Sequence, residues 1–254
     1  MPRPIRESLE EEKKSIGLIG SGFISKGLVM LIEQRNDLQV HRVLTRSRID
    51  ERHDFPRNDL LTNSPEDLLQ GSDLILEASG DVCNSTAVLK TALERSIPVI
   101  TMNAELQITT GSCLARKGFI TEAEGDQPGC LAALREEVLQ MGLSPLVYGN
   151  LKNFLNYNPT LEEMRFWAGK SGNSVENITS FTDGTKVQIE QALVANGLGA
   201  AIIKPGLVGL ARDSVEAGGM ELAEKAKAIG SPVSDYLLSA KIPPGVFVTA
   251  ECDP

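Results

Sequence analysis

A glycine turn near the N-terminus is the first feature of the sequence with a chemical use. Gly20-Ser21-Gly22 lies between an apolar run, 15–20, and a segment of helical periodicity. Glycines at such a strand-to-helix junction let backbone N–H groups and the helix N-terminus approach a pyrophosphate. Ser25 stands where the dinucleotide fingerprint has its third glycine. An ordinary glycine-rich turn is the alternative. The predicted dinucleotide contacts are Gly20, Gly22, Phe23 and Ile24.

The expected second strand, 39–44, ends in a tetrapeptide of basic and hydroxylated residues. A protein specific for NAD would place Asp or Glu there, where the adenosine ribose binds. This chain has Thr45-Arg46-Ser47-Arg48 instead. Because a guanidinium forms bidentate, charge-assisted hydrogen bonds with phosphate oxygens, the tetrapeptide predicts binding of the 2′-phosphate of NADP in preference to NAD. The alternative is that these arginines decorate a solvated loop.

Small and polar residues follow the next two expected strands, 73–78 and 98–101. Ala78-Ser79-Gly80 ends the first of these strands and Asn103 follows the second. Because the carboxyl ends of parallel strands share one edge of a sheet, both segments face the same crevice. Residues this small let a ribose or a nicotinamide approach the backbone. We expect them to outline a nicotinamide pocket, although a tight turn alone explains Ala78-Ser79-Gly80 equally well.

Two charged segments later in the chain supply groups for proton transfer. Hydride transfer to or from a carbon requires a partner that moves a proton on the adjacent oxygen, and a lysine held near the carbonyl can do this. Lys186, in the segment 183–186, is the first candidate and Lys152 the second. Asp126 and Asp183 would orient the substrate or hold the lysine, and Glu124 or Glu122 would bind a hydroxyl. Turn formation alone explains both glycine-containing segments, 122–129 and 183–186, about as well.

A divalent cation is the alternative way to polarise the carbonyl. Hard cations prefer oxygen ligands, and Glu105, Glu124 and Asp126 would supply them. His41 and His53 both fall near the second strand, so a histidine-based zinc site is not expected. We therefore predict no resident metal.

The elements that must position these residues alternate regularly in the first part of the chain. Short apolar strands and helical periodicity follow one another to about residue 150, which is typical of a doubly wound parallel sheet, the Rossmann arrangement. Asparagines then crowd the sequence, a long helix is expected over 185–201, and 245–250 is expected to form a strand. We predict a lead-in, 1–14, a Rossmann domain, 15–150, and a smaller α/β substrate domain, 151–254.

Composition excludes several classes of partner. The chain has 254 residues with 25 basic and 34 acidic side chains, for a formal charge of −9. This excess repels phosphate backbones and anionic lipids, so we expect neither nucleic acid nor membrane as a partner. The most apolar window, 193–211, is interrupted by Lys204 and Pro205. Four cysteines without a Cys-x-x-Cys pair are typical of a reducing compartment, so we expect a cytoplasmic protein.

Several motifs together resemble a known family. They are Gly20-x-Gly22, Glu-Ala-Ser-Gly at 77–80, Thr-Met-Asn-Ala-Glu at 101–105, Gly-Asp-Gln-Pro-Gly at 125–129 and Asp-Gly-Thr-Lys at 183–186. From about residue 15 to its C-terminus, the chain resembles the homoserine-dehydrogenase-like NAD(P)-dependent oxidoreductases. Within that group it is most similar to the branch of the 1-deoxy-D-xylulose 5-phosphate reductoisomerase-like (DRL) proteins.

The resemblance implies an NADP-linked dehydrogenase or reductoisomerase that forms homo-oligomers through its substrate domain. Its substrate would be a small polar hydroxy or keto compound, such as a sugar phosphate or a sugar acid. DRL proteins commonly continue into a SAF-type domain, so we expect this chain to be a catalytic portion. Homoserine dehydrogenase activity is an alternative, but those enzymes have Asn-Lys where Asn103 precedes Ala104 here. A regulatory protein that binds NADP(H) without catalysis is another, because a fold does not establish a reaction.

Overall fold

Two compact units make up the computed structural model, which describes residues 13–124, 127–172 and 174–252. The first unit contains the described residues up to Leu106 together with Thr110–Thr121. The second contains Gln107–Thr109 and the described residues from Glu122 onward.

The first unit is built on a six-stranded sheet. Its strands are β1 (Lys14–Ile19), β2 (Leu38–Leu44), β3 (Leu61–Thr62), β4 (Leu74–Glu77), β5 (Val99–Thr101) and β6 (Ile120–Glu122). The order is β3-β2-β1-β4-β5-β6, and β1 runs parallel to both β2 and β4. The helices are α1 (Phe23–Ile32), α2 (Pro65–Gln70), α3 (Val82–Glu94), α4 (Ala104–Leu106) and α5 (Ser112–Leu114). This is the strand order of the Rossmann fold, so the predicted doubly wound parallel sheet is confirmed.

Helices cover both faces of this sheet. Successive side chains of a strand point to opposite faces, so neighbouring residues of β1 join different cores. Leu18 packs in one buried cluster with Val29 of α1, and Ile19 packs in another with Leu89 of α3. A strand buried on both sides needs a continuous apolar run, which explains why 15–20 lacks alternation. The carboxyl ends of β1, β2 and β4 are held in fixed positions as a result.

The second unit has a smaller mixed sheet and longer helices. Its strands are β7 (Leu143–Lys152), β8 (Leu210–Ala211), β9 (Val233–Leu238) and β10 (Gly245–Cys252), in the order β10-β7-β9-β8. β10 is antiparallel to β7, whereas β9 is parallel to it. Val147 packs against Leu222, and Tyr148 packs with Val194 on the opposite face. The helices are α6 (Gly129–Gln140), α7 (Leu161–Ser171), α8 (Val175–Thr182), α9 (Thr185–Leu198) and α10 (Val215–Ile229).

The division between the units lies earlier in the chain than the sequence predicts. The expected boundary follows residue 150, but the units separate at Glu122. The reason is the pairing of β7, which forms its ladders with β9 and β10 rather than with the six-stranded sheet. The predicted helix 185–201 and strand 245–250 are present as α9 and β10. Within the described residues, no helix is long and apolar enough to cross a membrane.

Candidate functional site

The glycine turn between β1 and α1 leaves open space at the start of the helix. Gly20 has a φ of +100°, and a Cβ there would lie 2.7 Å from the Cα of Ser79. Glycine alone tolerates both this φ and this approach. Gly22 is the N-cap of α1, no side chain caps that helix end, and a Cβ on Gly22 would meet no described atom within 4 Å. An uncapped helix N-terminus facing open space is suited to a phosphate.

An open cavity of about 240 Å³ lies where β1, β2 and β4 end. Its walls come from the glycine turn, the segment after β2 and the start of α3. Six of the twelve predicted cofactor residues line it: Gly20, Gly22, Thr45, Arg46, Ser47 and Ser79. Ser21, Asp81, Asn84 and Ser85 also line it. The remaining predicted residues do not: Phe23, Ile24, Arg48, Ala78, Gly80 and Asn103.

The two arginines after β2 have different environments. Arg46 lines the cavity, and its Nη1 lies 2.6 Å from Oδ2 of Asp81, while its side chain stays 73% exposed. Asp81 caps α3 by accepting the backbone N–H of Asn84 over 3.0 Å. Hydrogen bonds from Asn84, followed by the charge of Arg46, hold the pKa of Asp81 below its usual value. Arg48 is paired with exposed Asp50 and does not reach the cavity.

A buried carboxylate organises the sheet edge beside the cavity. Glu77, at the end of β4, is fully buried and accepts hydrogen bonds from the hydroxyls of Ser79, Ser85 and Thr101 over 2.6, 2.9 and 2.8 Å. Ser79 and Ser85 are cavity residues, so Glu77 fixes part of the wall. The predicted pocket residue Asn103 is 3% exposed, and its Oδ1 accepts the backbone N–H of Leu106 over 3.0 Å. Its amide therefore anchors the start of α4.

A lysine, a carboxylate and an amide meet in the second unit, between β7 and α9. Lys152 Nζ donates to Glu190 Oε2 over 3.2 Å, and Asn150 Nδ2 donates to the same oxygen over 3.0 Å. Asn150 also donates to Gln127 Oε1. Glu190 is 2% exposed and Asn150 fully buried, whereas the Lys152 side chain keeps 23% exposure. A buried carboxylate that holds a partly exposed ammonium is an arrangement suited to proton transfer.

The other predicted catalytic residues have separate surroundings. Asp183 ends α8 and accepts the backbone N–H of Thr185 over 2.8 Å, which helps to start α9. Lys186 Nζ lies 4.7 Å from the centre of the Phe181 ring. Glu124 is exposed, and Asp126 lies outside the described residues. No group of three or more His, Cys, Asp or Glu side chains in the described part of the chain is arranged to hold a metal ion.

The sequence predictions give no role to three of these residues, although Glu190 follows the charged segment 183–186 on the next helix. Asp81 follows Gly80 and precedes helical periodicity, so the N-cap signal identifies it in retrospect. Glu190 is a charged residue among the buried positions of α9, four residues after Lys186. Asn150 carried no signal, because an asparagine near a strand end is usually part of a turn.

Comparison with known proteins gives a family and a fold. The sequence profile described as oxidoreductase DRL, catalytic domain, matches residues 125–254. The chain is similar to the solved homoserine dehydrogenase from Thiobacillus denitrificans, at 18% identity and a TM-score of 0.57, over 75% of this chain and 50% of that one. A hyperthermophilic archaeal homoserine dehydrogenase in complex with NADPH is similar at 17% identity and a TM-score of 0.53, over 72% of this chain and 69% of that one.

The chain spans half the length of the Thiobacillus denitrificans enzyme. No curated protein sequence matches the chain. At this level of identity, the likeness to both dehydrogenases shows a shared fold.

Proposed function

This chain belongs to the DRL oxidoreductase family, by its catalytic domain, and from that premise we propose that it is an NADP(H)-dependent dehydrogenase or reductoisomerase. The proposed substrate is a small polar hydroxy or keto compound, with sugar phosphates and sugar acids as the first classes to test. The cavity at the carboxyl ends of β1, β2 and β4 is the observation that carries the proposal, because open α/β sheets bind their ligands at this edge.

The residues present fit a dinucleotide cofactor. A phosphate at the N-terminus of α1 would occupy the open space in front of Gly22, where no side chain competes for the helix end. Arg46, Thr45 and Ser47 would hold the 2′-phosphate of NADP. When bound, the nicotinamide supplies hydride transfer to or from a carbon of the substrate. The exposed guanidinium of Arg46 supports NADP over NAD, because it can exchange its contact with Asp81 for a phosphate.

The proposed proton-transfer group is Lys152, supported by Glu190. The ammonium of Lys152 is the donor for a substrate oxygen, and Glu190 orients it from its buried position. Asn150 fixes the Glu190 carboxylate by its own hydrogen bond. Lys186 is the second candidate. Asp183 positions it by accepting the backbone N–H of Thr185, the first residue of α9.

An absorbance assay tests the activity. NADPH is incubated with small hydroxyketones, sugar phosphates and sugar acids, and its loss is followed. We expect turnover with one of these classes and, in a separate titration, a lower dissociation constant for NADPH than for NADH. Equal or reversed affinities contradict the proposed cofactor preference. Tight NADPH binding without turnover by the full-length protein contradicts the enzymatic proposal and favours a regulatory role.

We also propose that the protein is a cytoplasmic homo-oligomer. Among the described residues, Cys83, Cys113, Cys130 and Cys252 form no disulfide, as a reducing compartment favours. The family resemblance implies the homo-oligomer, and its test is the solution mass measured by light scattering. A mass equal to that of one chain contradicts it.

A further inference from the structure

Arg52 contacts the glycine turn without lining the cavity. Its Nη1 donates to Ser21 Oγ over 2.5 Å, and its Nη2 donates to the backbone carbonyl of Ser21 over 2.5 Å. The side chain is 18% exposed, so these contacts are partly shielded from solvent. Ser21 itself lines the cavity, and its hydroxyl is also hydrogen-bonded to Thr45 over 2.8 Å. Arg52 therefore acts on the cavity through Ser21.

Other charges hold Arg52 in this position. Its Nε donates to Asp54 Oδ1 over 2.9 Å, and Lys26 of α1 pairs with the other oxygen of Asp54. Hydrogen bonds from Arg52, then from Lys26, hold the pKa of Asp54 far below its usual value, so the carboxylate stays ionised. The guanidinium is thus fixed on one side by Asp54 and binds the turn with the other, which is the fork geometry that arginine provides.

The contact with the Ser21 carbonyl determines where the next N–H points. The Ser21–Gly22 peptide is trans, and in a trans peptide the C=O and the N–H point in opposite directions. Because Arg52 binds the Ser21 oxygen, the N–H of Gly22 is directed away from Arg52. Gly22 lines the cavity, and a Cβ there would meet no described atom within 4 Å. A backbone N–H held in a fixed direction beside a cavity is a donor suited to an anion.

We infer that Arg52 is a positioning residue that presets the Ser21–Gly22 peptide to donate its N–H to the diphosphate of a dinucleotide. This inference rests on the proposed cofactor site. The diphosphate is common to NADH and NADPH, so Arg52 contributes equally to the affinity for both. Arg46, in contrast, contributes only to the affinity for NADPH, because NADH lacks the 2′-phosphate.

Calorimetric titration of Arg52→Gln with NADH and with NADPH tests the inference. We expect both dissociation constants to rise about tenfold, which corresponds to about 1.4 kcal/mol, so that their ratio stays that of the wild type. Arg46→Gln should raise only the constant for NADPH and so change the ratio. Arg57→Gln is the matched control, because Arg57 also bridges two groups of this unit, Asp59 and Glu33, without touching the turn. Both of its constants should stay unchanged.

The stoichiometry separates positioning from folding. A merely structural role for Arg52 lowers the number of binding sites and leaves the dissociation constant of the folded fraction unchanged, and this result overturns the inference. A rise in the dissociation constant of Arg52→Gln for NADPH alone, with that for NADH unchanged, also overturns the inference. Arg52→Lys keeps the charge but loses the forked guanidinium, so it should lower the affinity for both nucleotides. Wild-type affinity of this variant counts against the inference.

Ser21→Ala isolates the contact with the peptide. It removes the hydroxyl contact of Arg52 and keeps the carbonyl contact, so it should raise the dissociation constant for NADH, which has no 2′-phosphate for Thr45 to hold, less than Arg52→Gln does. An equal or larger effect shows that the hydroxyl, not the peptide, is responsible and overturns the inference. If the wild-type protein binds neither nucleotide, the proposed cofactor site itself is overturned. If the wild type binds both nucleotides and Arg52→Gln binds them with the same dissociation constants, only the role of Arg52 is overturned.

Discussion

Replacing Glu190 by Gln is the most informative change in the second unit. The substitution keeps the size of the side chain and removes the carboxylate that holds Lys152. If this pair performs proton transfer, the turnover should fall while NADPH binding is retained, because the cavity proposed for the cofactor belongs to the first unit. Glu190→Gln thus separates chemistry from cofactor affinity.

The magnitude follows from the distance and the burial of the pair. At 3.2 Å, two unit charges attract by about 5 kcal/mol at an effective dielectric constant near 20. Burying the carboxylate offsets much of this, and a hydrogen bond to a charged group retains a net value of about 1.5–3 kcal/mol. Gln keeps an acceptor oxygen for one of the two donors, Asn150 or Lys152. We therefore expect the free energy of unfolding to fall by about 1.5–3 kcal/mol, equivalent to one such bond.

The kinetic effect is larger than the effect on stability. Proton transfer by a positioned side chain contributes about 10²- to 10⁴-fold to a rate, or about 3–5 kcal/mol of activation free energy. We expect kcat/KM for the substrate found in the absorbance assay to fall by about 10²-fold or more. The pH dependence of kcat/KM should also change, because an ionisable partner of the transfer has been removed.

A second glutamate of the same unit serves as the control. Glu163 lies in the first turn of α7, and its Oε2 accepts the backbone N–H of Thr160 over 2.9 Å. Glu163→Gln makes the same chemical change in a capping box and should leave kcat/KM and its pH dependence unaltered. The reasoning is refuted if Glu190→Gln retains the kcat/KM and the pH profile of the wild type and loses only stability.

Three further outcomes are expected. Lys186→Met should abolish turnover and leave NADPH binding intact if Lys186 shares the proton transfer, whereas retained turnover excludes Lys186 from that step. Gly20→Ala should lower the free energy of unfolding measured in urea by about 1–3 kcal/mol and lower the affinity for NADPH, because the φ of +100° and the backbone of Ser79 exclude a Cβ. An unchanged free energy of unfolding together with an unchanged affinity contradicts the assigned turn. Hydrogen bonds from Asn84 lower the folded-state pKa of Asp81, so its stabilisation is complete above a pH of about 4 and is lost as the pH falls through the lowered pKa. The difference in unfolding free energy between the wild type and Asp81→Asn should therefore shrink in acid, and a constant difference contradicts this.

Local patterns were sufficient to predict the first strand and the first helix of the first unit. The apolar run 15–20 and the glycine turn after it appear as β1 and the start of α1, within a residue of the expected bounds. This success has a physical basis, because a strand buried on both faces and a turn that needs a positive φ each impose their residue types locally. Half of the predicted cofactor residues line the cavity for the same reason, since they end strands that pair as neighbours.

Pairing between distant segments was beyond the same reasoning. β7 has the composition of a further Rossmann strand, but its ladder partner β10 comes from the end of the chain. Periodicity identifies a strand without naming its partner. The expected boundary after residue 150 and the observed division at Glu122 differ for this reason.

The choice between Lys152 and Lys186 as the proton-transfer group also depends on contacts between distant segments. Motif specificity places Lys186 first, because it lies in the Asp-Gly-Thr-Lys segment, and nothing local distinguishes Lys152 on β7. The fold brings Lys152 to a carboxylate that is 2% exposed, whereas Lys186 lies over the ring of Phe181. Residues four apart share a helix face, so Glu190 lies on the same side of α9 as Lys186 and also binds Lys152. The buried carboxylate binds Lys152, and this ionic partner supplied by the fold makes Lys152 the stronger candidate for the proton-transfer step.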